Sequence, residues 1–86
     1  MTMADMTEEQ VLKFLITQVE MISGRKGADP EASLSQNGIN SMGFMELLLA
    51  LQMKYEVNLI DHGITAADVN SLHSLAQRVI RAASEA

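Results

Sequence analysis

"LSQNGINSMGFMELLLALQMKYEV" (Leu34–Val57) decides how this chain is read. Its first part is polar and carries a glycine; the rest is helical in pattern, with more apolar residues than one core-facing stripe requires. With about 100° between successive residues, Phe44, Leu47, Leu48, Leu51 and Tyr55 fall in one sector, the expected core face. Met42, Met45, Leu49 and Met53 fall in a second sector roughly opposite, with Ser41 at its N-terminal edge and Glu46 and Glu56 beside it. The second sector either packs under the neighbouring loop or a short helix, or it is a docking surface. Docking is the expectation, because methionine suits apolar contacts that are made and remade.

The helix begins at Asn40 or Ser41, either of which is a suitable cap, and runs to about Tyr55, where "EVNLIDHG" breaks the pattern. Upstream, "MTEEQVLKFLITQVEMISG" opens on a capping box of Thr7 and Gln10. Val11, Leu12, Leu15, Ile16, Val19 and Ile22 follow at helical spacing, and Gly24 is the expected stop. Between the two helices, residues 23–40 are rich in Gly, Ser, Asn and Asp, hold the single proline, and contain Leu34 as the large apolar anchor. Loops of that length in so small a domain are usually functional.

Downstream, "ITAADVN" reads as a turn or two capped by Thr65, and "SLHSLAQRVIRAASEA" as a last helix from Ser71. Its apolar side is Leu72, Leu75, Ala76, Val79 and Ile80, with Arg78 and Arg81 near the end, where cations suit the helix dipole. No strand pattern or internal repeat is visible. The expected fold is all-α: a small four-helix bundle of three main helices and one short one, with a long loop between helices one and two. Residues 7–83 form the domain, between flexible ends at 1–6 and 84–86.

Eighty-six residues with a formal charge of −5 and no cysteine narrow the function. The absence of cysteine removes any disulfide, thiolate metal site or thiol nucleophile. The longest basic cluster is Arg25-Lys26, too little to neutralise a nucleic acid backbone. No apolar run reaches a membrane span, and "MTMADMTEEQ" does not read as a secretory signal, so a cytoplasmic monomer is expected. His62 and His73 are eleven residues apart on different elements, with no spaced set of carboxylates, which argues against a metal site. His73 reads as a solvated helix-face residue. Ser41 acting as a hydrolytic nucleophile would need His62 brought beside it, and a self-contained enzyme is not expected. A serine in this position is ordinarily a cap, yet a helix N-terminus also favours anionic groups, so a phosphodiester on Ser41 would be well placed.

Leu34, Gly38, Ile39, Asn40 and Ser41, followed by Met42, Glu46, Leu47, Leu51 and Tyr55, resemble the signature of acyl carrier proteins. The order of helix, long loop, second helix, short helix and final helix is similar as well. The resemblance implies that Ser41 receives 4′-phosphopantetheine from a phosphopantetheinyl transferase that consumes coenzyme A. It also implies that the thiol missing from the chain is carried on that arm, where cargo is held as a thioester. The implied partners are that transferase, an acyl- or aminoacyl-loading ligase or transferase, and a downstream synthase or transferase. Asn40, Met42, Met45, Glu46, Leu49 and Met53 would form the docking surface.

Two departures from the family pattern matter. Asn40 stands where aspartate is usual, and Gly43, Gln52, Met53 and Lys54 replace much of the acidic helix surface of fatty-acid carriers. A free-standing carrier of a specialised, fatty-acid- or polyketide-like pathway is therefore expected, with an aminoacyl or peptidyl carrier as the near alternative. A different class of answer is an unmodified helical adaptor that binds partners through the methionine face.

Overall fold

The computed structural model describes residues 7–85. The expected flexible segment 1–6, and residue 86, lie outside the described residues. The described chain is all-helical and matches a small helical bundle.

Helix α1 (Glu8–Ser23) starts as its capping box dictates: the Thr7 hydroxyl accepts from the Gln10 amide at 3.1 Å, and the Gln10 side chain accepts from the Thr7 amide at 3.4 Å. It stops at Gly24, whose φ of +75° suits a residue without Cβ and lets its amide reach the Glu20 carbonyl. Val11, Leu15 and Val19 form its fully buried stripe.

Helix α2 (Ser41–Tyr55) runs antiparallel to α1: Ile22, near the end of α1, lies against Gly43 in the first turn of α2, and Phe14 meets Tyr55 edge to face at 5.5 Å. Leu47, Leu48 and Leu51 are buried as expected, whereas Phe44 and Tyr55 are half-buried and close the flanks of the core.

The expected break after Tyr55 contains a helical turn of its own, α3 (Leu59–His62). Asn58 caps it by accepting from the Asp61 amide at 3.2 Å, while Val57 and Leu59 are buried on either side of the cap. The stretch expected to be the short helix, "ITAADVN", makes a 3₁₀ turn (Ala66–Val69) instead. Its hydrogen bonding partly inverts the expected capping, since the Asp68 carboxylate accepts from both the amide and the hydroxyl of Thr65.

Helix α4 (Leu72–Glu85) is capped by Ser71, whose hydroxyl accepts from the Ser74 amide at 2.9 Å. Leu72, Leu75, Ala76, Val79 and Ala82 are fully buried, and the helix packs mainly on α1. It continues through Glu85, past the domain boundary expected at residue 83. That extension corrects the role of two arginines, which lie short of the last turn. Arg78 is buried and donates to the His62 carbonyl at 2.7 Å, with Asp68 at 3.7 Å, and Arg81 meets the same Asp68 at 3.6 Å. They tie α3 and the 3₁₀ turn to α4 instead of answering a helix dipole.

His73 is likewise more than a solvated face residue. Its Nε2 lies 2.6 Å from Glu8 on α1 and its Nδ1 3.4 Å from Glu31 in the loop, while its amide donates to the Pro30 carbonyl.

Candidate functional site at the start of helix α2

The loop that delivers Ser41 is ordered by its own polar side chains. Asn37 is buried, and its amide nitrogen donates to the carbonyls of Asp29 (3.0 Å), Ala32 (3.3 Å) and Ser33 (2.9 Å). Its Oδ1 accepts from the Asp29 amide at 2.8 Å. One buried side chain thus ties together four backbone groups of the loop, adding to the Ala32 amide on the Asp29 carbonyl and the Asn37 amide on the Ser33 carbonyl. Leu34 and Ile39 are buried beneath it, and the Leu34 amide reaches toward the Val69 carbonyl of the 3₁₀ turn. Between them Gly38 sits at φ +88°, a conformation that favours glycine, with the Arg25 guanidinium lying over it where a Cβ would stand.

The cap of α2 is Asn40, whose Oδ1 accepts from the Gly43 amide at 2.8 Å while its carbonyl accepts from Phe44. Ser41 is therefore the first helical residue and is exposed to solvent. The amides of Ser41 and Met42 have no partner within the helix, as in any first turn, and lie where an anion on the Ser41 oxygen is favoured. Beside the serine is a shallow, largely apolar depression of about 230 Å³ lined by Leu34, Ser35, Ile39, Asn40, Ser41, Phe44 and Val69. Neither His62 nor His73 lines it.

On the outer side of α2, Met42 (76 % exposed), Met45 (50 %), Leu49 (58 %) and Met53 (84 %) face solvent together. Neither the long loop nor α3 covers them. Glu46 and Glu56 are exposed alongside, and Lys54 lies over the Phe14 ring at 6.0 Å. Asn37 had no role in the sequence pattern, and His73 and Arg78 had different ones; all three act through contacts across the fold, which spacing within one element does not reveal.

Among the described residues no group of three His, Cys, Asp or Glu side chains is placed to hold a metal ion, and no helix is long and apolar enough to cross a membrane. Comparison with family models, with curated proteins and with solved structures finds no match to the chain.

Proposed function

We propose that the chain is a free-standing acyl carrier that holds an acyl intermediate on a 4′-phosphopantetheine arm esterified to Ser41 and delivers it to partner enzymes of a specialised biosynthetic pathway. The observation that supports this most is the division of labour at the start of α2. Asn40 does the capping, so the exposed hydroxyl of Ser41 is not needed to hold the helix together.

The residues fit the group. The helix N-terminus favours a phosphodiester, Leu34, Ile39, Phe44 and Val69 offer an apolar wall next to the attachment point, and the chain has no cysteine of its own to compete for cargo. When bound, the arm supplies the thiol that forms the thioester. The chain supplies an accessible hydroxyl and an apolar face, and no base is among the described residues that line the depression beside Ser41, so we assign activation of that hydroxyl to the phosphopantetheinyl transferase. Asn40, Met42, Met45, Glu46, Leu49 and Met53 are the surface we assign to the transferase and, after it, to the loading and downstream enzymes. An aminoacyl cargo would use the same residues, with the choice made by the loading enzyme. The chain itself is not assigned an enzymatic activity.

The exposed apolar face of α2 equally favours a second reading, an unmodified adaptor, which differs in having no use for Ser41. Intact mass after incubation with coenzyme A, Mg²⁺ and a broad-specificity phosphopantetheinyl transferase separates the two. Gain of one phosphopantetheinyl group by the wild-type chain and none by Ser41→Ala supports the carrier. No gain by either protein with several transferases would overturn it in favour of the adaptor.

A further inference from the structure

We propose that Met42, Met45 and Met53 form a reversible oxidation site that switches docking at α2. The proposal rests on the reading of this face as the docking surface, but its first half, where oxidation falls, does not. With no cysteine in the chain, methionine thioethers are its only side-chain sulfur. The methionines among the described residues are all exposed: Met21, Met42, Met45 and Met53. Among the described residues the buried hydrophobic core is made of Leu, Val, Ile and Ala alone.

Three of those sulfurs belong to one face. Met42, Met45 and Met53 stand seven and four residues before Leu49 and four after it, so they surround that leucine along the exposed stripe of α2. A peroxide that reaches this surface meets them without any opening of the fold. In each event a sulfur lone pair attacks one peroxide oxygen, the S–O bond forms as the O–O bond breaks, and the thioether becomes a sulfoxide while hydrogen peroxide is reduced to water. The two electrons come from sulfur, and no protein group has to gain or lose a proton.

The consequence is selective. A sulfoxide is a polar, chiral hydrogen-bond acceptor in place of a flexible apolar group, so three of them around Leu49 convert the face from apolar to polar. The core contains no described methionine, so the bundle itself is spared. Thiol-dependent sulfoxide reductases return the thioether, which makes the change a switch.

The test uses the full apo chain, so that no arm thiol competes for oxidant. Treatment with hydrogen peroxide followed by peptide mapping is expected to place oxygen on Met42, Met45 and Met53, as well as on the exposed Met21 of α1, while the thermal melt stays cooperative. Oxidised wild type is then expected to be loaded at Ser41 by the phosphopantetheinyl transferase about tenfold more slowly, as for loss of central interface contacts, and to recover after treatment with sulfoxide reductase. In Met42→Leu/Met45→Leu/Met53→Leu the peroxide-treated and untreated forms should be loaded at equal rates. Met21→Leu should respond to oxidation as wild type does.

Equal loading of oxidised and unoxidised wild type, or modification that appears only after the melt is lost, would overturn the proposal. If unoxidised wild type accepts no arm at all, the carrier reading is what fails. Retention on a phenyl matrix before and after peroxide then decides the oxidation site: a shift no larger for wild type than for the triple leucine variant removes it, and a larger shift to earlier elution for wild type keeps it.

Discussion

Asn40 Oδ1 accepts the Gly43 amide at 2.8 Å, which places the cap of α2 one residue before the serine that the proposed function needs. Cap and attachment point are neighbours with separate duties, so they separate in mutants. Asn40→Ala is expected to lower stability by about 1 kcal/mol, the usual cost of a lost N-cap. Ser41→Ala should stay within about 0.5 kcal/mol of wild type, as for other exposed positions, while losing all loading. Asn40→Asp keeps the acceptor and adds an anion at the helix N-terminus, for a gain of about 0.3–1 kcal/mol that salt reduces. Urea titrations of the three variants at two ionic strengths check the set; a Ser41→Ala loss as large as that of Asn40→Ala would mean the serine shares the capping.

On the outer face of α2 the expected effects reverse, with docking lost and stability kept. Met45→Glu and Leu49→Glu place a charge on residues that already face water, so melting temperature should move little. Loading by the transferase should fall by about tenfold or more in kcat/KM, since a charge in the apolar centre of an interface cannot be desolvated cheaply. A large fall in melting temperature would show that these side chains stabilise the bundle instead.

Asn37 predicts a different signature. Asn37→Ala removes the side-chain partner of the Asp29 amide and of the Asp29, Ala32 and Ser33 carbonyls and is expected to cost about 2–3 kcal/mol. Asn37→Asp should cost more at neutral pH, because the acceptor for the Asp29 amide is kept while a carboxylate replaces the donors that face three carbonyl oxygens. Protonation of the introduced carboxylate relieves that repulsion, so the gap between the two variants should narrow as pH falls. Urea midpoints across acidic to neutral pH provide the check.

What the sequence made legible is what local chemistry decides. The Thr7–Gln10 capping box and the Gly24 stop are each made by residues only a few positions apart, and the two faces of α2 follow from periodicity alone. The α3 turn was hidden because four residues are too few to show a period; only the Asn58 cap and the Gly63 stop mark it. The His73 contacts with Glu8 and Glu31, and Arg78 spanning Asp68 and the His62 carbonyl, join segments far apart in the chain. In the candidate site, Ser41 and the apolar face were readable, but the assignment of the cap to Asn40 was not, since both residue types are good caps.

Tyr55 gives the expected alkaline behaviour. Burial against Phe14 and the core pushes its hydroxyl above the ordinary 10.0. With the folded value raised, the neutral form is favoured in the bundle; that contribution is complete below the unfolded value and is lost as pH rises through the folded one. Tyr55→Phe cannot ionise, so the difference in urea midpoint between wild type and variant should be constant below about pH 9 and grow in favour of the variant above it. A constant difference up to the alkaline limit of the fold would mean that the ring is as well solvated folded as unfolded.

Gly43 tests how closely α1 and α2 approach. Glycine inside a helix ordinarily costs about 1 kcal/mol relative to alanine, so Gly43→Ala would be stabilising if space allowed. Here a Cβ would stand 2.9 Å from Ile22 Cγ2, 3.3 Å from Ile39 Cγ2 and 3.4 Å from the capping oxygen of Asn40. Ile22 is β-branched and restricted in rotation, so it cannot easily swing clear without moving α1. Overpacking should outweigh propensity, and Gly43→Ala is expected to destabilise by about 1 kcal/mol. In an Ile22→Ala background the nearest obstacle is gone, and adding Gly43→Ala should then stabilise relative to Ile22→Ala alone. A double-mutant cycle by urea unfolding reads the change of sign as a coupling energy. If Gly43→Ala stabilises the otherwise wild-type chain, α1 and α2 are farther apart at this crossing than the Ile22–Gly43 contact requires.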